Sequence, residues 1–189
     1  MKKKILSIVL TFSMLISVLT ILPIQIGATE GNATEIGSVE KWLELSQEAE
    51  LMGDYVLTAD LDFTGKEFSY LQKFSAGTFD GQGHTITGIS YTLASDLNTV
   101  GLFRILSTGA TVKNLVITNS SIATHPQKGA VGVVSGDTEG EGEILIQNIY
   151  VDKSVTVTAG SGGNAGGILG ISYGKTAPKI ENCVFAGTV

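Results

Sequence analysis

The stretch Val112-Lys113-Asn114-Leu115-Val116-Ile117 decides the fold, because close copies of it return along the chain. Two of them are Ile146-Gln147-Asn148-Ile149-Tyr150-Val151 and Ile180-Glu181-Asn182-Cys183-Val184-Phe185. Their asparagines are evenly spaced, since 148 − 114 and 182 − 148 are both 34. A fixed period of this size is typical of repeat proteins, in which each repeat stacks on its neighbours.

Each copy reads apolar, any residue, Asn, apolar, any residue, apolar. A strand has a period of two residues, so the first apolar position is out of phase with the other two. A bend at the asparagine restores the phase, and Asn tolerates the left-handed backbone that such a bend needs. A weaker first copy, Ile86-Thr87-Gly88-Ile89-Ser90-Tyr91, has Gly88 in the asparagine position.

Stacking of the copies predicts one column of asparagines and three apolar columns. Neighbouring asparagines would lie about 4.8 Å apart, and their amides would bond along the stack. The apolar columns would be Val112, Ile146 and Ile180; Leu115, Ile149 and Cys183; and Ile117, Val151 and Phe185. The pattern predicts an all-β fold, a right-handed parallel β-helix (solenoid) with a short N-terminal capping helix and about 26 to 35 residues per turn. An ordinary β-sandwich with coincidental spacing is the alternative.

The N-terminus has the pattern of an export signal. Three lysines follow Met1, residues 5–22 are mostly apolar, and small residues precede a cleavage point after Ala28. We therefore predict a signal peptide over 1–28. The alternative is an uncleaved anchor, because the apolar run approaches the length of a membrane span. Residues 29–37 are predicted to be a linker.

The next segment is predicted to cap the first turn of the solenoid. Ser38 is a suitable N-cap for a helix over 39–51, and Trp42 would lie over the open end of the coil. A tryptophan that stacks on a sugar is the alternative. Residues 38–78, the helix plus strands that include one over 55–63, form this predicted cap. The β-helix repeats are predicted over 79–189 and are expected to be incomplete at the C-terminus.

Glycine-containing stretches between the copies are predicted to be the second strand of each turn, where glycine permits tight corners and close backbone approach. They are Val100-Gly101-Leu102-Phe103, Val131-Gly132-Val133-Val134 and Gly166-Gly167-Ile168-Leu169. Polar loops at 125–128, 137–143 and 159–164 are predicted to project outward.

The charge of the chain argues against some classes of binding partner. The chain has 12 basic and 18 acidic residues, so removal of Lys2, Lys3 and Lys4 with the signal peptide leaves 9 basic residues and a net charge of 9 − 18 = −9. Such a charge disfavours nucleic acid and, after signal cleavage, an anionic membrane surface. Cys183 is the only cysteine, so no intrachain disulfide is possible, and its apolar column position predicts a buried thiol.

Several of these stretches resemble the GLUG repeats of exported bacterial proteins. The resemblance lies in Tyr55–Phe63, Gly77–Ile86, Gly101-Leu102-Phe103 and Gly167-Ile168-Leu169-Gly170, and it covers about residues 38–189. Arg104 departs from it, because a final glycine is usual there. The resemblance implies a β-helix and export. Such repeats occur in surface adhesins and in non-catalytic regions of large secreted proteases.

Parallel β-solenoids also include polysaccharide lyases and hydrolases, so catalytic residues were sought. Asp60, Asp62 and Asp80 are candidates for a carboxylate pair, and His84 is a candidate base. Turn and strand-end positions favour structural roles for all four. The alternating acidic segment 137–143 could supply calcium ligands, but its spacing fails the helix-loop-helix calcium pattern and a solvated acidic insertion is the favoured interpretation.

The sequence therefore predicts a secreted or cell-surface, non-catalytic solenoid for adhesion or for binding an extracellular glycan or protein. No catalytic, cofactor or metal residue is assigned. The alternatives are an enzyme of the polysaccharide lyase or hydrolase kind, and a structural fragment of a larger secreted protease in which the solenoid continues past Val189.

Overall fold

The computed structural model describes residues 33–93 and 99–189. The predicted signal peptide over 1–28 lies outside the described residues. Within the described ranges the chain forms 19 strands and one short helix. No helix in those ranges has the length and apolar character needed to cross a membrane.

The elements follow one another in successive turns of a coil. The first two turns contain β1 (Thr34–Ile36), α1 (Val39–Leu45), β2 (Leu51–Met52), β3 (Tyr55–Leu57), β4 (Leu61–Asp62) and β5 (Leu71–Ser75). The third turn contains β6 (Gly77–Asp80), β7 (Thr85–Thr87), β8 (Ser90–Thr92), β9 (Thr99–Val100) and β10 (Phe103–Leu106). The fourth contains β11 (Ala110–Thr118), β12 (Ser121–Ala123), β13 (Ala130–Gly132) and β14 (Ser135–Thr138). The remaining strands are β15 (Leu145–Val151), β16 (Thr156–Thr158), β17 (Asn164–Gly166), β18 (Lys179–Glu181) and β19 (Val184–Phe185).

Each sheet takes its strands from successive turns, and the pairing is parallel throughout. The largest sheet has the order β1-β3-β6-β11-β15-β18, with β4, β7 and β19 beside it, and the others are β2-β5-β10-β14, β8-β12-β16 and β9-β13-β17. Parallel neighbours one turn apart define a β-solenoid, which confirms the predicted fold class. The right-handed sense of the coil stays a prediction.

The length of a turn changes along the chain. Register partners on the largest sheet are 33 or 34 residues apart along β6, β11, β15 and β18, as 110 − 77, 145 − 111 and 179 − 145 show, and 31 residues apart between β7 and β11, from 116 − 85. In the first two turns the separations are 21 and 24, from 55 − 34 and 79 − 55. These early turns fall below the predicted range because they contribute no strand to either three-stranded sheet.

The predicted apolar columns are present. Val112 pairs with Ile146, which pairs with Ile180 in the next turn. The Ile117 column continues through Val151 to Phe185 in the same way. The members in β11 and β15 are fully buried and form the interior of the coil, whereas in the last row Ile180 is 45% exposed and Cys183 and Phe185 are half-buried.

The asparagine corner also follows the prediction. Asn114, Asn148 and Asn182 have φ of 57°, 54° and 51°, the left-handed backbone that lets the strand bend. Asn148 Nδ2 donates to Asn114 Oδ1 at 3.0 Å, and Asn114 Nδ2 donates to Asp80 Oδ1 at 2.9 Å. Asp80 therefore begins a ladder that Asn114 and Asn148 continue. Among the described residues no side-chain hydrogen bond joins Asn148 to Asn182, so the predicted amide ladder ends one turn early.

The predicted first copy, Ile86–Tyr91, was aligned to the wrong corner. Ile86 pairs with Ile117, the last apolar residue of the copy, while Phe79 pairs with the first, Val112. The first row is therefore 79–86, with two extra residues at its asparagine corner. Gly88 (φ 75°) misled the alignment because it lies at the next corner, where the following turn has Asn119 (φ 43°).

The solenoid begins earlier than the sequence indicated. β1 lies within the predicted linker 29–37, and Thr34 pairs with Tyr55 of β3 in parallel. Strands of the predicted cap 38–78 already belong to the stacked sheets, and the predicted boundary at residue 79 falls inside β6. The strand predicted over 55–63 is two strands, β3 and β4, because the chain turns a corner between them.

Helix α1 is shorter than predicted. The Ser38 hydroxyl accepts from the Lys41 N–H at 3.2 Å and begins the helix. The helix ends at Leu45, well before the predicted residue 51, because β2 must extend to pair with β5.

Trp42 packs inside the coil. Its side chain is fully buried, and its ring centroid lies 6.1, 6.2 and 6.1 Å from those of Phe63, Phe68 and Phe79. The indole Nε1 donates to the Ser69 carbonyl at 2.8 Å, so its polar atom is satisfied. Trp42 is therefore a packing residue, and the sugar-stacking alternative is wrong.

The glycine stretches form corners rather than continuous strands. β9 ends at Val100 and β10 starts at Phe103, and β13 and β14 flank the next corner in the same way. A Cβ on Gly132 would lie 2.4 Å from the Ser135 carbonyl oxygen and 2.5 Å from the Gly170 nitrogen. Glycine is therefore required there by the close approach of backbones. We call this edge of the coil the glycine corner.

Substitution of Asn114 separates the two roles of the asparagine corner. Asn114→Gly and Asn114→Ala both lose the amide ladder, but only Ala places a Cβ in left-handed backbone, at about 1–2 kcal/mol. The greater freedom of glycine in the unfolded chain offsets part of this difference. We expect the Ala variant to be less stable than the Gly variant by about 1 kcal/mol in urea unfolding. Equal stabilities would contradict the left-handed assignment.

Substitution of Gly132 tests the close approach at the glycine corner. Gly132→Ala forces backbone apart and should lower the free energy of unfolding by about 2–3 kcal/mol. Gly37→Ala is the matched control, because its added Cβ meets only the Thr58 hydroxyl, at 2.9 Å, which can rotate away. Thermal or urea unfolding of both variants gives the comparison. A loss no larger at Gly132 than at Gly37 would contradict the packing.

Candidate functional site

A cleft of about 440 Å³ lies beside the glycine corner. One wall carries Thr99, Ala130 and Asn164, which are register partners on β9, β13 and β17. The other wall carries residues of β10 and β14 and of the segment that follows β17. Its size is in the range of small-ligand sites. We call it the glycine-corner cleft.

Besides Thr99, five polar side chains from three successive turns line this cleft: Arg104, Lys128, Asp137, Asn164 and Tyr173. Stacking brings them together although they span 70 positions of the chain, from 104 to 173. The cleft thus combines cationic, anionic, amide and phenolic groups in one place.

Asp137 is the buried member of the set. Its side chain belongs to β14, the residue is only 9% exposed, and Oδ1 has no hydrogen-bond partner among the described residues. Burial raises the pKa of the Asp137 carboxyl, and the charge of Glu139 adds to the increase, while the Thr138 and Tyr173 backbone N–H groups and the charge of Arg104 offset part of it. The prediction of an outward loop starting at Asp137 was wrong, because Asp137 pairs in register with Ile105.

Arg104 is the only arginine in the chain. Its Nε donates to Gln72 Oε1 at 3.2 Å, across two turns that pair through Phe103 and Leu71. Among the described residues, no carboxylate lies within 4.0 Å of its guanidinium. The side chain is therefore oriented by an amide and keeps its charge available.

Tyr173 supplies an aromatic surface. The residue is 72% exposed, and its backbone N–H donates to the Thr138 carbonyl at 2.9 Å, which fixes the segment on β14. Asn164 and Lys128 are also exposed. A flat ring with neighbouring donors and acceptors suits a ligand that has both apolar and hydroxylated faces.

Lysine side chains contact the three glutamates of the acidic segment 137–143. Glu139 lies 3.0 Å from Lys73, and Glu143 lies 2.7 Å from Lys179. Glu141 pairs with Lys175. In the part of the chain that the structure describes, no three His, Cys, Asp or Glu side chains come together in the manner of a metal site.

The candidate catalytic residues lie away from this cleft and serve the backbone. Asp60 accepts from the Thr85 N–H at 2.8 Å and contacts His84 Nδ1 at 3.1 Å. These two interactions lower the pKa of Asp60, the backbone bond most. Asp62 accepts from the Thr64 N–H at 2.8 Å, and the hydrogen bonds of Thr64 lower the pKa of Asp62.

Asp80 is held by several partners. Partial burial acts to raise the pKa of the Asp80 carboxyl, but bonds from the Asn114 amide, the Gln82 N–H and Lys113 together lower it. A glycosidase general acid needs a raised pKa. The pKa of Asp60, Asp62 and Asp80 is instead lowered, which is typical of carboxylates with a structural role.

Cys183 has the properties of a packing residue. Its side chain is half-buried, and burial raises the pKa of the thiol. Reactive thiols have a lowered pKa. Cys183 is therefore less buried than the predicted column position implied, and its Sγ lies 3.3 Å from the Glu181 carbonyl oxygen.

A second hollow of about 600 Å³ runs along the asparagine corner and includes Tyr150. Its polar groups are engaged with one another, since Asp80, Asn114 and Asn148 form the ladder. The glycine-corner cleft differs because its charged groups do not pair among the described residues. It is therefore the better candidate for binding.

Sequence reasoning did not find this site. Only Arg104 could have indicated the cleft from the sequence, because it is the single arginine and because it departs from the repeat motif. Which residues line the cleft depends on how neighbouring turns are aligned, and the number of residues at the corners differs from turn to turn. Asp137 pairs with a residue 32 positions earlier, whereas the asparagine period is 34.

Comparisons with known proteins do not place the chain in a family. No family model and no curated protein matches it. One solved structure, described as a "putative immunoglobulin A1 protease" from Bacteroides ovatus, is similar at 13% identity and a TM-score of 0.39, over 82% of this chain and 75% of that chain. The assignment of the class rests on the strand pairing: the chain is a parallel β-solenoid with a polar surface cleft.

The buried carboxyl predicts a stability that depends on pH. Because burial raises the folded-state pKa of Asp137, the wild type loses stability as pH rises through that pKa, whereas Asn does not titrate. Asp137→Asn should be more stable than wild type at pH 7, by about 1 kcal/mol. The difference should vanish below about pH 3.9, the ordinary pKa of an aspartate.

Asp62→Asn is the control variant, for which the opposite change in stability relative to wild type is expected at neutral pH. Its pKa is lowered, so the wild-type carboxylate contributes stability at neutral pH that is lost in acid. Urea unfolding of both variants between pH 3 and 8 measures the two curves. A destabilised Asp137→Asn variant at neutral pH would show that the carboxylate is satisfied.

Proposed function

We propose that this chain is a non-catalytic, extracellular β-solenoid module that binds a carbohydrate ligand in the glycine-corner cleft. The observation that carries the proposal is the cleft itself, where the exposed Tyr173 ring stands beside Arg104 and Asn164. Sugars present apolar C–H faces and ring hydroxyls, and this combination of aromatic and planar polar groups matches both.

A carbohydrate fits the dimensions better than a folded protein does. A volume of about 440 Å³ holds a short saccharide. A stable protein interface buries about 800 Å² on each partner and is centred on packed apolar anchors. The cleft is instead small, concave and largely polar in its lining.

The proposal that the module is non-catalytic rests on the pKa and the hydrogen bonds of the candidate catalytic carboxylates. Asp60, Asp62 and Asp80 have a lowered pKa and bond to backbone or neighbouring side chains. Asp137 has a raised pKa, but no second carboxylate lines the cleft among the described residues. Glycoside hydrolysis ordinarily needs two.

Export and a cell-surface role rest on the sequence. The basic and apolar pattern of residues 1–28 is that of a signal peptide. The GLUG-like stretches, including Gly167-Ile168-Leu169-Gly170, resemble repeats of exported bacterial proteins that include adhesins. We propose that the chain belongs with them and that the stacked turns hold the cleft in a fixed geometry for adhesion.

Binding to a panel of neutral and acidic oligosaccharides tests the proposal. Residues 29–189 should bind at least one of them, and Tyr173→Ala should weaken that binding by about tenfold or more, the effect of one lost aromatic contact. Tyr150→Ala is the matched control, because this partly exposed tyrosine lies at the asparagine corner. Isothermal titration calorimetry gives the affinities.

Two outcomes would contradict the proposal. One is the absence of binding to every saccharide in the panel. The other is cleavage of a bound saccharide, seen as new reducing ends or unsaturated products in the same samples, which would assign an enzyme.

A further inference from the structure

The charge of the glycine-corner cleft differs from that of the chain. The chain carries a net charge of −6, yet Arg104 and Lys128 both line the cleft. Most other lysines in the described ranges contact carboxylates: Lys41, Lys73, Lys113, Lys175 and Lys179. Neither Arg104 nor Lys128 lies within 4.0 Å of a carboxylate of the described residues. Two of the four basic residues that have no carboxylate partner among the described residues therefore line one polar cleft, the others being Lys66 and Lys153.

Arg104 is held in a way that suits recognition of an anion. The bond from Nε to Gln72 Oε1, at 3.2 Å, fixes the plane of the guanidinium from one edge. This bond uses one of five N–H groups, and the terminal nitrogens have no other described hydrogen-bond partner. A planar fork of this kind binds a carboxylate with two parallel hydrogen bonds.

The carboxylate of Asp137 does not neutralise the positive charge of Arg104 and Lys128 where the cleft opens to solvent. Asp137 is the only carboxylate that lines it among the described residues, and its Oδ1 is shielded from solvent. Desolvation weakens this carboxylate as an anion and raises its pKa, although backbone N–H groups of Thr138 and Tyr173 and the charge of Arg104 offset part of the effect. The groups accessible to a ligand are therefore Arg104, exposed Lys128, exposed Asn164 and the Tyr173 ring.

We infer that the ligand of the glycine-corner cleft is an acidic saccharide, whose sugar carboxylate pairs with the Arg104 guanidinium while its ring lies against Tyr173. This inference rests on the proposed carbohydrate-binding function. Lys128 adds attraction toward the anion, and Asn164 supplies donors and acceptors for ring hydroxyls. Uronic and sialic acids share the required chemistry. The aromatic surface of Tyr173 favours a sugar over the carboxyl terminus of a peptide, because recognition of a peptide carboxylate does not require an aromatic ring.

The test compares each acid with its own neutral form. Tetragalacturonic acid and a sialyl trisaccharide are titrated into residues 29–189, beside the same saccharides with their carboxylates reduced to alcohols. At least one acid should bind about tenfold or more tightly than its reduced form, because a charge-assisted bidentate pair is lost. The two acids distinguish the two sources of the carboxylate. The tighter affinity should fall as salt is raised.

Variants of Arg104 assign the preference to this residue. Arg104→Gln should abolish the difference between acid and reduced forms, and Arg104→Lys should keep only part of it, because an ammonium cannot form the planar fork. Lys153→Gln, a change of equal charge outside the cleft, should leave the preference unchanged. Thermal unfolding confirms that each variant is folded.

The outcomes separate the inference from the function on which it rests. Equal binding of acid and reduced saccharides overturns the inference and leaves the carbohydrate function standing, as does a folded Arg104→Gln variant that keeps the preference. Absence of binding to all saccharides overturns both. Binding of a peptide with a free carboxyl terminus, but not of its amide or of any saccharide, also overturns both and assigns a peptide ligand. The ligand comparison needs no variant, so a variant that fails to fold does not remove the test.

Discussion

Parallel pairing of each turn with the next, at a separation of 31 to 35 residues from β6 onward, is the constraint on which the structure depends. It satisfies the backbone of every turn through its neighbours and lays Val112, Ile146 and Ile180 in one column. No disulfide is available to a chain with one cysteine, so ladder bonds and this interior hold the fold. The aromatic residues around Trp42 close the interior beneath helix α1.

The two kinds of corner have different consequences. At the asparagine corner the side chains that permit the bend also bond to one another, so Asn114 and Asn148 use their amides along the stack. At the glycine corner no side chain projects from residues such as Gly132, and the backbones approach closely. The flanking residues, Arg104 and Asp137 among them, then line a concave surface. Arg104 and Asp137 form no ion pair within 4.0 Å, which is why we propose that a ligand binds here.

The sequence was sufficient to predict whatever repeats strictly. The asparagine period, the apolar columns and the parallel class all follow from positions 34 residues apart, and burial of Trp42 follows from the need to cover the first turn. Corners with variable length were not predictable. Two extra residues before Thr85 shift the first row, and Gly88 imitates the missing asparagine. Asp137 looked like a loop residue because a polar strand of Ser, Gly, Asp and Thr shows no apolar alternation, and only its partner β10 explains its burial.

Spin labels on paired cysteines test the register most directly. In a Cys183→Ser background, labels at Lys113 and Gln147, or at Gln147 and Glu181, sit on register partners in adjacent turns. The backbones of such pairs are about 4.8 Å apart, whereas Lys113 and Glu181 are separated by two turns and about 9.6 Å. Stacked turns predict strong and equal spin–spin broadening for both adjacent pairs and a weaker effect for the third. Broadening absent from the adjacent pairs, or as strong in the third, would contradict the solenoid and the cleft that its corners form.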